Sequence, residues 1–249
     1  FTGTALVIDD GQIIYRGAWG ENAETKLPLS PESRIYLASA AKPITALVAA
    51  LLESRGRLSY EAPVAPHFPG LAHLLKGVKL KHLLAHTSGL EDYYRSGLPV
   101  PPFTNEDALR LIAGQKKPLH TAGAKFVYAN SNYVLVAEMA AKVAGVPISE
   151  LLQSDIFNKL EMSRTAYVVA LRAEDQPAPA VDGQGKHFRY AYATEGPGGL
   201  ATTVDDLAKF DLALLNEKLI SRRAQLKLFT PRISVEARKT QYAYGWYVY

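Results

Sequence analysis

Both ends of the chain carry strand patterns while nearly everything between them runs at helical period, and this arrangement narrows the fold more than any other feature. The apolar runs Ala5-Leu-Val-Ile8 and Ile13-Ile-Tyr15 flank Asp9-Asp-Gly11. Asp-Gly supplies the positive φ of a tight turn, so residues 1–18 predict a β-hairpin. The far end, Gln241 to Tyr249, is aromatic and reads as a strand. After Ile35-Tyr-Leu37, the residues Ile44, Leu47, Val48, Leu51 and Leu52 mark a helix that Gly56 closes. Pro63 to Gly77 reads as loop, and Val78 to Ala85 as a short apolar helix running into His86-Thr-Ser-Gly89. Thr104 with Asp107 opens a helix that ends near Gly114, and another runs from about Ser131 to Gly145 through Leu135, Val136, Met139, Ala140 and Val143. Shorter helices follow over Ser149 to Phe157, after the Thr203/Asp206 cap, and from Ser221 to Pro231. The layout predicts an α+β protein: a sheet-containing lobe from residues 1–37 and 232–249, and a mainly helical lobe from 38–231.

Composition excludes several function classes. With 249 residues, 48% hydrophobic and 21% charged, the chain is long enough to bury a core without staples. It has no cysteine, so disulfides, thiol nucleophiles, Cys zinc sites and iron–sulfur clusters are all out. The 28 Lys and Arg against 24 Asp and Glu leave a net charge of only +4. The densest basic cluster, Lys76, Lys79 and Lys81, reads as a solvated face rather than a nucleic-acid footprint. The best apolar stretch, Ile44 to Leu52, is interrupted by Thr45 and is too short to span a membrane. The chain opens at Phe1-Thr-Gly-Thr without Met or a signal region, as a processed chain or an excised piece would.

Four other motifs lead nowhere. His82-Leu-Leu-Ala-His86 has the i, i+4 spacing of zinc hydrolases, but Leu83 stands where the general-base glutamate belongs, so packed or capping histidines explain it better than a metal site. Gly196-Pro-Gly-Gly-Leu-Ala201 fits a loose dinucleotide pattern without the βαβ unit around it, and reads as a loop needing close backbone approach. No phosphate loop and no G-x-S-x-G elbow is present.

Ser39-Ala-Ala-Lys42 is the constellation that carries chemistry. Three residues apart on a helix, the two side chains share a face, so the Lys amine can approach the Ser hydroxyl. The helix N-terminus adds free N–H groups for an oxyanion. A bare S-x-x-K arises about once by chance in such a chain. Its placement, between a strand and an apolar helix with Pro43 just inside, is what raises it. Tyr128-Ala-Asn130 is the second element. A serine hydroxyl needs a base, and either a buried Lys or a Tyr whose pKa is lowered by a nearby cation can serve. Asn130 can hydrogen-bond Lys42 or a substrate carbonyl. Taken singly, Tyr128 is better explained as a half-buried core residue and Asn130 as a helix-entry residue.

The chain resembles the serine β-lactamase and penicillin-binding family, which includes class C β-lactamases, D-alanyl-D-alanine carboxypeptidases and related esterases. The matching segments are the opening hairpin, Ala38-Ser-Ala-Ala-Lys-Pro43, Leu83-Leu-Ala-His-Thr-Ser-Gly-Leu90, Phe126-Val-Tyr-Ala-Asn-Ser-Asn-Tyr133, Gly198-Gly-Leu-Ala-Thr-Thr-Val-Asp-Asp-Leu207 and Tyr244-Gly-Trp246. The resemblance implies a lobe with an antiparallel sheet flanked by helices, a helical lobe, and an active site at their interface. It implies Ser39 as the acylated nucleophile, Lys42 as its activating partner, Tyr128 as proton shuttle, and Asn130 orienting Lys42 and binding substrate. It leaves His86 outside the site as a structural residue. No cofactor and no metal is implied.

One departure stands out. The family's third motif, Lys-Thr-Gly or His-x-Gly, is matched only by Lys239-Thr-Gln241, which lacks the glycine and reads as coincidence. Tyr244-Gly-Trp246 is similar to the segment that precedes that motif, so the chain is expected to stop short of it. The expectation is therefore a serine hydrolase acting on a β-lactam, a D-Ala-D-Ala-type peptide or an ester, leaning towards a broad esterase or peptidase. The alternative is a non-catalytic penicillin-binding-like scaffold. The resemblance further implies a small-molecule or peptidoglycan-type partner and a periplasmic or cell-envelope location, and leaves oligomeric state open.

Overall fold

The computed structural model describes residues 2–96, 103–181, 186–188 and 193–249. The loop from Glu91 to Thr104, a candidate determinant of substrate choice, therefore lies partly outside the described residues. The opening hairpin forms as expected, from β1 (Gly3–Asp9) and β2 (Gln12–Trp19). Asp10 (φ 44°) and Gly11 (φ 74°) make its turn in the left-handed region. β3 (Ile35–Tyr36) leads through a 3-10 turn, Ala38–Ala41, into α1 (Lys42–Ser54).

Gly56 closes α1 in a Schellman motif. Its φ is 69°, its N–H reaches the Glu53 carbonyl at 3.0 Å, and the Arg57 N–H reaches that of Leu52 at 2.9 Å. Periodicity marks one apolar face on α1, but Ala46, Ala49 and Ala50 are buried too, so the helix is enclosed on all sides. α1 packs on α4 (Asn130–Ala144), which also touches α2 (Leu80–Leu84) and α3 (Asn105–Ala113). Thr104 caps α3 in a capping box with Asp107, and Gly145 (φ 79°) ends α4. The expected Ser149–Phe157 helix is α5 (Ile148–Leu152) continued by a π turn over Gln153–Phe157.

The remaining strands are short. β4 (Ala166–Tyr167), β5 (Ala180–Val181), β6 (His187–Phe188) and β7 (Leu200–Thr202) precede α6 (Val204–Leu215) and α7 (Arg222–Phe229). Thr203 and Ser221 cap these two helices through side-chain oxygens. β8 (Ile233–Val235), β9 (Thr240–Tyr242) and β10 (Tyr247–Val248) end the fold. The single strand expected over Gln241–Tyr249 is instead a hairpin: Gly245 (φ 89°) turns the chain, Ala243 N–H bonds the Trp246 carbonyl, and Tyr242 pairs with Tyr247.

Among the described residues the strands form four antiparallel groups, β1-β2, β3-β7-β4, β5-β6 and β8-β9-β10. β3 pairs with β7, and α6 packs on β1, so hydrogen bonds and packing both link residues 1–37 to the stretch 38–231. The result is an α+β fold with Ser39 on the turn between β3 and α1.

Candidate active site

Ser39 sits exposed on the 3-10 turn, one residue after Ala38, which takes φ 47°. A non-glycine residue in the left-handed region is strained by about 1–2 kcal/mol, and such strain gathers at functional positions. Lys42 follows at the first turn of α1, with Pro43 beside it. The Lys42 side chain is turned inwards and is 1% exposed. Its Nζ lies 3.1 Å from Ser39 Oγ, 2.8 Å from Asn130 Oδ1 and 2.8 Å from the Pro197 carbonyl oxygen. An ammonium has three N–H donors, one for each oxygen. A neutral amine keeps two of them and offers its lone pair to the third partner, the Ser39 hydroxyl. Burial lowers the Lys42 pKa to about 7, against the opposing pull of the Asp92 carboxylate. The amine is thus poised to exchange a proton with Ser39 near neutral pH.

Tyr128 flanks the same pair, its ring lying 4.9 Å from Lys42 Nζ. Burial pushes its phenol up to about 12, with the nearby Ser39 hydroxyl pulling the other way. Of the two bases open to a serine here, Lys42 therefore has the lowered pKa and Tyr128 keeps its proton. Tyr128 is not lowered on balance, because loss of water outweighs the small downward pull of Arg238.

The loop at Gly196-Pro-Gly-Gly199 explains how a backbone carbonyl reaches a buried amine. Gly196 (φ 104°) lies so close to the Tyr133 carbonyl that a Cβ would overlap it, and a Cβ on Gly199 (φ 83°) would fall 2.6 Å from the Thr194 oxygen. Thr45 Oγ1 donates to the Gly196 carbonyl at 2.8 Å, pinning the loop to α1. The close approach read from the glycines is present. A cleft of about 200 Å³ opens here, lined by Tyr36, Ser39, Tyr94, Asn130, Thr194 and Gly198 among others. A larger groove of about 770 Å³ runs between the opening hairpin, α6, α7 and Trp246, away from these groups.

The histidines hold structure together. His82 Nδ1 accepts the Lys79 N–H at the start of α2. His86 is fully buried, its Nδ1 faces the Ala129 N–H at 3.3 Å and the Asn132 amide at 3.2 Å, and burial lowers its pKa well below the usual value. Yet His86 is not remote from the site. Its carbonyl takes the Val127 N–H at 2.9 Å and its ring stacks on Tyr128 at 4.3 Å. The residues on both sides of Tyr128 are thereby tied to His86.

The structure thus brings together all four residues singled out from the sequence: Ser39, Lys42, Tyr128 and Asn130. Lys239, by contrast, is exposed, in the left-handed region before β9. A family model described as Beta-lactamase matches residues 2–249. The chain belongs to the β-lactamase family. Among curated relatives, a penicillin-binding protein of Bacillus subtilis (strain 168) is 30% identical over 274 residues, covering 99% of the chain and 59% of the relative. A D-aminopeptidase of Gluconobacter oxydans (strain 621H) is 26% identical, over 98% of the chain and 48% of the relative. The solved octameric penicillin-binding protein homologue from Pyrococcus abyssi superposes with a TM-score of 0.88 at 27% identity, covering 99% of the chain and 60% of that structure. The chain spans about half to three fifths of the length of these proteins.

Two contributors to this cluster escape sequence reasoning. The Pro197 carbonyl is signalled only by its flanking glycines, which announce close approach but not its target. Asp92 carries no spacing signal at all. Its Oδ2 accepts the backbone N–H of Asn130 at 3.0 Å and the Asn130 amide at 3.1 Å.

Proposed function

We propose that this β-lactamase family chain is a serine hydrolase that forms an acyl-enzyme on Ser39. The observation that carries this reading is the buried Lys42 amine, 3.1 Å from Ser39 Oγ and with a pKa of about 7. Ser39 Oγ attacks the substrate carbonyl carbon while its proton passes to the neutral Lys42 amine. The Ser39 N–H is one donor for the developing oxyanion. The carbonyl then reforms, the C–N or C–O bond breaks, and the leaving group takes a proton relayed from Lys42 through Tyr128, which is reprotonated as it gives its own up. Water then attacks the ester on Ser39 and releases the acid. Asn130, at the cleft wall, orients Lys42 and binds substrate.

The substrate classes that fit are a β-lactam, a D-Ala-D-Ala-type peptide and an ester, because all three share the first step. The names of the relatives support cell-wall-type amides and a periplasmic or cell-envelope location. Among the described residues no helix is long and apolar enough to cross a membrane.

Intact-protein mass spectrometry after incubation with a penicillin and, separately, with an activated ester tests this. Wild type is expected to gain the acyl mass and Ser39→Ala to gain none. An adduct that persists marks a penicillin binder and one that decays marks a hydrolase. A folded wild type without any adduct overturns acylation at Ser39 and leaves the scaffold reading.

A further inference from the structure

Asp92 lies on no motif and contacts no reacting atom, yet its carboxylate is spent almost entirely on the site. Oδ2 takes both the first N–H of α4, on Asn130, and the Asn130 side-chain amide. Oδ1 takes the N–H of Tyr94, a residue that lines the cleft. The consequence for Asn130 is geometric. A side-chain amide has a donor end and an acceptor end, and flipping it exchanges them. With the NH2 end held by Asp92, the oxygen must face Lys42 Nζ, where it is found at 2.8 Å. The flipped amide would aim donors at an ammonium and leave the carboxylate facing an oxygen.

We propose that Asp92 is a positioning residue of the acylation site: through Asn130 it fixes the amide that holds Lys42 against Ser39, its own carboxylate lying at the far end of that amide. The groups that face Lys42 from the elements packed around it are Ser39 on its own turn, Asn130 of α4, the Pro197 carbonyl, the rings of Tyr128 and Tyr133, and the imidazole of His86. His86 is held neutral and Tyr128 protonated, so neither offsets the ammonium. Among the described residues, Asp92 is the carboxylate whose charge reaches Lys42, and it acts to raise the lysine's pKa against burial. Burial pushes the phenols of Tyr93 and Tyr128 upwards, and the Asp92 charge adds a smaller push to each. One acidic side chain thus biases the proton inventory of the whole pocket towards charged Lys42 and neutral tyrosines.

Only the kinetic part of this proposal rests on the acyl-transfer reading, and the experiment separates the two. Asp92→Asn keeps an oxygen for Asn130 and removes the charge, whereas Asp92→Ala removes both. The Lys42 side chain is titrated by NMR in wild type and both variants, with Lys42→Arg assigning the signal, and hydrolysis of p-nitrophenyl acetate is followed across pH. The Lys42 midpoint is expected to fall in both variants. Asp92→Ala is expected to lose about tenfold in kcat with KM within about twofold, and Asp92→Asn to recover most of that loss while the acid limb of its pH profile moves to lower pH. A shifted midpoint with no ester turnover in wild type would retain Asp92 as the positioning residue and remove only the hydrolase reading. If Asp92→Ala does not fold, Asp92→Asn decides. An unmoved Lys42 midpoint in folded Asp92→Asn overturns the proposal and reduces Asp92 to a cap on α4.

Discussion

At the scale of single residues, the site is organised around one lysine that is costly to bury. Lys42 releases its proton near pH 7 in the folded protein, whereas its ordinary value is 10.5. Between these values the unfolded chain holds a proton that the folded chain does not, so this residue makes stability rise with pH across that window, and its full penalty applies below about pH 7. Replacing it with an uncharged side chain of similar shape removes the penalty. Lys42→Met is therefore expected to gain most on wild type in urea unfolding at pH 6, and the difference is expected to shrink as pH approaches 10. A difference independent of pH would show that Lys42 is not buried as an amine. The same titration predicts that wild-type kcat/KM rises through about pH 7, as the amine loses its proton. Ser39 and Lys42 were legible from their spacing and from their place ahead of an apolar helix. Asp92 was not, because its role comes from a contact 38 residues away along the chain.

At the scale of elements, two glycines with positive φ separate fold from function. Gly56 closes α1 in open space, where a Cβ meets nothing, so Gly56→Ala is expected to cost about 1 kcal/mol of left-handed strain and leave turnover unchanged. Gly196 has both the positive φ and the Tyr133 carbonyl against it. Gly196→Ala is expected to destabilise more than Gly56→Ala and to move the Pro197 carbonyl off Lys42, lowering kcat by about tenfold or more. Thermal unfolding and ester turnover on the two variants check this, and equal effects on turnover would separate the loop from the site. The helix boundaries were legible because capping chemistry is local: Thr104, Gly145, Thr203 and Ser221 each act where the sequence places them. The turn at Gly245 was missed because an aromatic run reads as strand whether or not a glycine breaks it.

At the scale of the molecule, the opening hairpin is attached through few features. β1 packs on α6, and Arg16 of β2 reaches Asp205 at the start of α6, with Nε at 2.7 Å, as well as Glu32. These ions are largely exposed, so they orient the hairpin more than they stabilise it. On β2, Ile13 and Ile14 are left 49% and 63% exposed. The helices around α1, by contrast, bury a continuous apolar core. Hydrogen exchange is expected to be faster in β1 and β2 than in α1 and α4, and Arg16→Ala to speed it further in the hairpin while α1 and α4 keep their protection. Loss of protection in α1 as well would mean that hairpin and helical core open as one unit.

The amino-acid sequence by itself determined the local structure: where helices start and stop, that a hairpin opens the chain, and that a serine and a lysine share one face. Those properties depend on neighbours within about one turn of helix or one tight turn, where periodicity and capping act. Tertiary structure decided the protonation states. Lys42 has a pKa of about 7 because α1, α4 and the Gly196-Pro-Gly-Gly199 loop together exclude water from it, and Tyr128 stays protonated because the same packing desolvates its phenol. Desolvation is a property of everything that surrounds a group, and no spacing along a chain encodes it.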